Sequence, residues 1–172
     1  MQILEVSTTS PTPPIQPDFA FMRIRLSRWI ALGLGAGLSR TAPGTVGTLL
    51  AWAIYVIAAP WLSAAVMWSI VVCGFALGVW ACGRTADDLG VADHGAIVWD
   101  EIIAFWAVLL MVPADFSAQF SALLLFRFFD IVKPPPIRQV DRRIKSGFGV
   151  MLDDVLAAAY ALLAFKLATV LF

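Results

Sequence analysis

An uncharged run of 43 residues, from Thr41 to Gly83, constrains this chain more than any other feature. Water-soluble domains rarely carry such a run, whereas a helix that crosses a bilayer needs about 20 mostly apolar residues. The whole chain is 60% hydrophobic, above the roughly 45–50% apolar content of soluble domains. The sequence therefore predicts an all-α, multi-pass integral membrane protein, a bundle of about four to five hydrophobic helices with a polar site facing the cytoplasm.

The first 22 residues differ in kind from the rest. Residues 7–17 are rich in Ser, Thr and Pro, a composition that does not form a packed core. The segment also lacks the basic stretch followed by an apolar stretch that a secretory signal requires, so export is not expected. We expect a disordered tail over 1–22 and a single membrane-embedded domain over 23–172.

Prolines and charges divide the apolar sequence into candidate spans. These cover residues 45–59, 61–82, 97–112, 116–132 and 150–172. The first is short for a full crossing, so whether it crosses or re-enters stays open. Gly74 and Gly78 lie four residues apart in the second span, which indicates close helix contact or simply a glycine-tolerant membrane helix.

Basic residues predict which side of the membrane each loop faces. They precede the first span, follow the second and fill the loop between the fourth and fifth: Arg23, Arg25, Arg28, Arg84, Lys133, Arg138, Arg142, Arg143 and Lys145. The loops at Pro60 and Pro113 contain neither Lys nor Arg. By the positive-inside rule the basic loops face the cytoplasm, and the acid-rich segments then share that side.

The acidic residues form the second informative pattern. Eight of nine clustered acids are Asp, and the set is Asp87, Asp88, Asp93, Asp100, Glu101, Asp130, Asp141, Asp153 and Asp154. A charge at the centre of a membrane helix costs about 2.5–3.5 kcal/mol. Charges that merely mark loop ends are the simpler alternative, but solubility alone would favour Lys and Glu. Repeated Asp beside apolar spans favours a site for a cation or a metal-bound phosphate.

Short oxygen ligands beside Lys and Arg suit Mg²⁺ and phosphate chemistry. The glycine-containing segment 42–48 begins a helix, so it is a phosphate cradle or an ordinary capping turn. His94, the only histidine, is a general acid, a donor that orients a ligand, or a hydrogen-bonded loop residue. Arg127 and Asp130 are three residues apart on one helix face, which allows an ion pair or a phosphate-and-metal pair.

Four motifs in series carry a resemblance to a known family. They are Gly-Leu-Ser-x-x-Ala-Pro-Gly-Thr-x-Gly-Thr (37–48), Asp-x-Gly-x-x-Asp-His-Gly-x-Ile-Val-x-Asp-Glu (88–101), Phe-Arg-x-x-Asp-x-x-Lys-Pro-x-Pro-Ile-Arg (126–138) and Gly-x-Gly-Val-Met-x-Asp-Asp (147–154). Over about residues 30–172 the chain resembles the phosphatidylglycerophosphatase A family. Arg40 and Ser146 depart from the family pattern, which has proline and glycine there, and Phe148 stands in place of Met.

The resemblance implies a Mg²⁺-dependent lipid phosphatase of the bacterial inner membrane, which hydrolyses phosphatidylglycerol phosphate to phosphatidylglycerol and inorganic phosphate. An anionic phospholipid substrate and membrane lipids are then the expected partners, with no nucleic acid and no obligatory protein partner. The implied catalytic residues are Asp100, Glu101, Asp154 and His94. The candidate metal ligands are Asp88, Asp100, Glu101, Asp130, Asp153 and Asp154. The candidate substrate-binding residues are Thr45, Arg127, Lys133 and Arg138.

Two other classes of protein remain as alternatives. A small cation or proton transporter would line an ion path with acids, but it predicts acids near mid-span and on both faces. A lipid phosphotransferase of the CDP-alcohol type also uses Asp and Mg²⁺, but its characteristic Asp-Gly-x2-Ala-Arg string does not occur. For the phosphatase, the nucleophile stays open between a metal-activated water and an Asp side chain.

Overall fold

The structure is a computed structural model that describes residues 15–171, and every regular element within that range is a helix. The α-helices are α1 (Phe19–Arg23), α2 (Leu26–Ala31), α3 (Pro43–Ala58), α4 (Ala64–Leu89), α5 (Trp99–Leu109), α6 (Phe116–Val132), α7 (Ile137–Arg143) and α8 (Gly147–Leu171). A short 3₁₀ segment, Gly33–Leu38, joins α2 to α3. The predicted all-α fold is confirmed for these residues.

Helix α5 lies at the centre of the bundle. It contacts α3, α4, α6 and α8, and nine of its 11 residues are buried. Phe105 of α5 stacks on Phe126 of α6 with ring centroids 5.6 Å apart, and both side chains are fully buried. Because neighbouring helices surround α5, the side chains on its first turn lie inside the protein.

Close contacts between α4 and its neighbours depend on the two glycines noted in the sequence. A Cβ on Gly74 would overlap the side chain of Ile103, and one on Gly78 would overlap Met151. The indole N–H of Trp99 also donates to the carbonyl of Gly74 at 2.9 Å. These glycines therefore let α4 pack directly against α5 and α8, which is the first of the two alternatives that their spacing left open.

The first helix begins earlier in the chain than the sequence predicts. Residues 19–22, assigned above to the disordered tail, form α1, because Asp18 caps the helix by accepting from the Phe21 N–H at 2.7 Å. Met22 is buried in a small core with Leu32 and Ala96. Residues 1–14 of the predicted tail lie outside the described residues.

Two of the described helices, α4 and α8, are long and apolar enough to cross a membrane. They have 26 and 25 residues, with mean hydropathy of 2.0 and 1.8 in their most apolar stretches. Only 33% and 22% of those stretches are buried inside the protein, so most of their apolar surface faces outward. Helix α3 is apolar but shorter. A membrane protein is therefore indicated, by two long helices rather than five.

Candidate active site

Three buried carboxylates converge where α5 and α8 begin. Asp100 and Glu101 occupy the first turn of α5, and Asp154 lies on the second turn of α8. One oxygen from each lies within 4.8 Å of the others. We call Asp100, Glu101 and Asp154 the deep cluster. Segments more than 50 residues apart in the chain thus meet at one place.

The deep cluster contains polar atoms without partners. Among the described residues, Asp100 Oδ1, Glu101 Oε2 and Asp154 Oδ2 are buried and accept no hydrogen bond. Burying an ionised carboxylate without a partner costs several kcal/mol. Three neighbouring carboxylates, each with a buried oxygen that has no partner, fit the hard oxygen ligands that a divalent cation prefers. The donor set therefore suits a metal ion of that kind.

Helix α6 adds one positive and one negative group to the deep cluster. Arg127 lies 3.4 Å from Glu101 and 2.6 Å from Asp130, and the Asp130 carboxylate in turn lies beside that of Asp154. Four carboxylates thus face one guanidinium, which leaves an excess of negative charge. Arg127 Nε is also buried and has no acceptor, so one strong donor remains free for an anion.

The first turn of α3 packs against the deep cluster. A Cβ on Gly44 would overlap Glu101 Oε1 and would lie 2.8 Å from a terminal nitrogen of Arg127. A side chain at position 44 would therefore displace the ends of the Glu101 and Arg127 side chains. The hydroxyl of Thr48 donates to the Gly44 carbonyl at 2.8 Å, which fixes this turn. Thr45, next in sequence, is half-buried in the same helix N-terminus, a favourable place for an anion.

A second acidic group differs from the first because it surrounds an ammonium. Lys133 lies 2.5 Å from Asp153, 3.6 Å from Asp93 and 3.8 Å from Asp141. We call these four residues the lysine-filled cluster. Burial by itself would lower the pKa of Lys133, but its acidic neighbours, Asp153 first, raise the pKa above the usual lysine value. The lysine is therefore charged.

Asp88 belongs to neither cluster. Its carboxylate accepts from Arg25 at 3.0 Å and from Arg28 Nε at 3.0 Å. Arg28 is largely buried and stacks over the Phe21 ring, with its guanidinium carbon 3.8 Å from the ring centroid. Asp88 thus connects the end of α4 to the N-terminal helices, and it is separate from the unpartnered oxygens that suit a metal.

His94 and Arg138 lie outside both clusters. His94 Nδ1 accepts from the Ala96 N–H at 3.1 Å, which leaves the proton of a neutral ring on Nε2. His94 also lines an open cleft of about 840 Å³ together with Ser39 and Arg40. Arg138 is exposed and donates to the Val132 carbonyl at 3.1 Å.

Some residues of the site are not among those predicted from the sequence. Asp93 and Asp141 contact Lys133, but neither stands among the candidate ligands named above. Asp93 falls within the second motif, which was a usable signal, whereas Asp141 lies in none of the four motifs. Gly44 also contacts the deep cluster directly, and it lies in segment 42–48, which the sequence offered as a phosphate cradle or a capping turn.

Comparisons with known proteins identify the family of this chain. The family model described as Phosphatidylglycerophosphatase A matches residues 29–169. A relative of that name from Haemophilus influenzae is 44% identical over 78% of this chain and 83% of its own length. Another of that name, from Escherichia coli K12, is 40% identical over 84% of this chain and 86% of its own.

A third relative carries a different name. This protein of Bacteroides thetaiotaomicron, provisionally named phosphatidylinositol-3-phosphatase, is 38% identical over 81% of this chain and 91% of its own. No solved structure matches the chain. The family match spans every residue of both clusters, and the first two relatives cover more than two thirds of the chain. The chain therefore belongs to the phosphatidylglycerophosphatase A family.

Proposed function

We propose that this chain hydrolyses phosphatidylglycerol phosphate to phosphatidylglycerol and inorganic phosphate, with Mg²⁺ held by the deep cluster. The observation that carries this proposal is the set of unpartnered buried oxygens on Asp100, Glu101 and Asp154, beside a free donor on Arg127. An acidic site with a guanidinium suits a metal-bound phosphate monoester. Family membership and the names of two relatives support the reaction.

Asp100, Glu101 and Asp154 would hold the metal ion, with Asp130 beside Asp154 to orient it or its waters. When bound, Mg²⁺ neutralises charge on the phosphate oxygens and activates water. The side chains of the protein would position the phosphate. Arg127 is held by Glu101 and Asp130, so its planar group is already oriented when a phosphate oxygen accepts from Nε.

The first turn of α3 would bind another side of the phosphate. Gly44 lets the backbone approach Glu101 and Arg127, and the free N–H groups of a helix N-terminus favour anions. Thr45 would add a hydroxyl there. The cleft beside this turn has room for the glycerol headgroup, and His94 Nε2 within it would supply a proton to the leaving oxygen.

The ends of the helices support a site at one surface of a membrane. Both clusters and the start of α3 lie where α3, α5 and α8 begin and where α6 ends. Alternating helices that cross a bilayer place these ends on one side. We propose a multi-pass protein of the bacterial inner membrane, with this site at headgroup depth on the cytoplasmic side, where basic loop residues attract anionic lipids.

Other functions have less support. A transporter would line a path through the bundle with acids, whereas the described clusters gather at one set of helix ends. The name of the Bacteroides relative favours a second candidate substrate, an inositol lipid phosphate. Both candidate substrates are phosphate monoesters on a phospholipid headgroup, so the proposed chemistry at the deep cluster is the same for either.

Phosphate release from detergent-purified protein tests the proposal. The substrates are phosphatidylglycerol phosphate, phosphatidylinositol 3-phosphate and water-soluble glycerol 3-phosphate, each with Mg²⁺ and with EDTA. We expect Mg²⁺-dependent release that is fastest from phosphatidylglycerol phosphate. Faster release from the inositol lipid would change the substrate but keep the site. No release from any of the three by folded protein would overturn the proposed function.

A further inference from the structure

The two acidic clusters hold different amounts of compensating charge. In the lysine-filled cluster, three carboxylates face Lys133, and Asp141 also contacts Lys145 at 3.3 Å. Two ammonium groups thus offset three acids. Around the deep cluster, four acids share one guanidinium. The excess negative charge at the deep cluster is therefore larger.

The backbone holds the Lys133 ammonium in place. Lys133 is the C-cap of α6, and its own N–H donates to the Phe129 carbonyl at 2.9 Å. Its φ of 45° lies in the left-handed region that is uncommon for a residue with a Cβ. Three prolines follow directly, which further restricts the chain. The lysine side chain therefore leaves a fixed point beside the three carboxylates.

An ammonium and a divalent cation compete for the same oxygens. The ligand oxygens of Asp93, Asp141 and Asp153 lie within 4.8 Å of one another, a spacing that suits one cation, and Lys133 already contacts all three residues. A metal ion bound there would be brought close to a buried positive charge, which costs energy at low effective dielectric. With Lys133 present, the lysine-filled cluster disfavours a second ion.

We propose that Lys133 is a built-in counter-ion that limits the protein to one divalent cation per chain, and that removing its charge converts Asp93, Asp141 and Asp153 into a second divalent-cation site. This inference rests on the metal site of the proposed function. It gives Lys133 a positioning role, in place of the phosphate contact predicted from the sequence. Through Asp153, the lysine also fixes the neighbouring Asp154 of the deep cluster.

Counting bound Mn²⁺ by electron paramagnetic resonance tests this directly, because the signal of the free ion reports how much is bound. The samples are detergent-purified wild type, Lys133→Met, Lys133→Ala, Lys133→Arg and the control Lys145→Met. We expect one ion per chain for the wild type, for Lys133→Arg, which keeps the charge, and for Lys145→Met, whose side chain is half-exposed. Lys133→Met and Lys133→Ala should each bind two ions.

Two ions on the wild type would overturn the inference, since Lys133 would then not exclude the second. One ion on a folded Lys133→Met or Lys133→Ala protein would also overturn it, while the single metal site of the proposed function would stand. No ion on a wild type that still releases phosphate with EDTA present would overturn the metal site itself. If neither lysine variant folds, as judged by thermal melting, two ions on Lys133→Arg would still overturn the inference.

Discussion

Asp153 and Asp154 are adjacent in the chain, but they belong to different clusters with different properties. Asp153 is 5% exposed and is paired with Lys133. Asp154 is 2% exposed and keeps one oxygen without any partner. Because both are buried Asp residues on one turn of α8, burial alone does not separate them. The nearby cation does: the acids around Lys133 are largely compensated by ammonium groups, whereas the acids around Asp154 keep a larger excess of negative charge.

The largest expected effect comes from Asp154→Asn. Loss of one ligand of the deep cluster should lower kcat for phosphate release by at least about 100-fold, the scale seen when one stabilising group is removed from an active site. Without metal the variant should melt no lower than the wild type, because Asn removes a charge from a repulsive group. Phosphate release and thermal melting in EDTA measure the two effects.

Asp141→Asn is the matched variant in the lysine-filled cluster. Its carboxylate is partly exposed and lies 3.8 Å from Lys133, so we expect a loss of activity below about tenfold, the lower end of the effect of an outer partner. Equal losses for Asp141→Asn and Asp154→Asn would remove the distinction between the two clusters.

Gly44→Ala should give the next effect, because its Cβ would displace Glu101 and Arg127 from the deep cluster. We expect a loss of about 10- to 100-fold in kcat/KM, since small displacements of catalytic groups are costly. Val46→Ala, at an exposed position in the same turn, controls for changes in α3 itself. Full activity in Gly44→Ala would mean that α3 does not close the site.

Asp88→Asn should act on stability rather than on metal binding. The charge-assisted bonds to Arg25 and to the largely buried Arg28 would weaken, at a cost of about 1.5–3 kcal/mol in the free energy of unfolding. Thermal melting and the Mn²⁺ count measure the two properties separately. A lost metal ion in a stable Asp88→Asn protein would place Asp88 among the ligands, as first predicted from the sequence.

Lys145→Ala should have the smallest effect. Its ammonium is half-exposed and lies 3.3 Å from Asp141 at the rim of the lysine-filled cluster. Exposed ion pairs contribute about 0–1 kcal/mol, so melting should shift little. A shift as large as that of Asp88→Asn would show that this ion pair at the rim contributes more than an exposed pair does.

Much of this fold could be predicted from the sequence because long apolar runs bounded by prolines and charges favour helices. The fourth predicted span, 116–132, coincides with α6, and the fifth begins three residues later than α8 does. Prediction failed at α1, where a capping Asp and one buried Met outweigh an unfavourable composition.

The site was less predictable, because partners depend on packing between distant segments. The motifs that carry the family resemblance implied Asp100, Glu101, Asp130 and Asp154 as candidates, and the structure brings these four together. The same motifs could not reveal that Asp88 faces two arginines 60 or more residues earlier. Nor could they show that Lys133 lies beside three acids.

Anomalous scattering from Mn²⁺ in crystals of the wild-type protein tests the central claim most directly. The account predicts one peak, at about 2.0–2.3 Å from oxygens of Asp100, Glu101 and Asp154, and no peak beside Lys133. A peak among Asp93, Asp141 and Asp153, or no peak in a protein that Mn²⁺ activates, would contradict it.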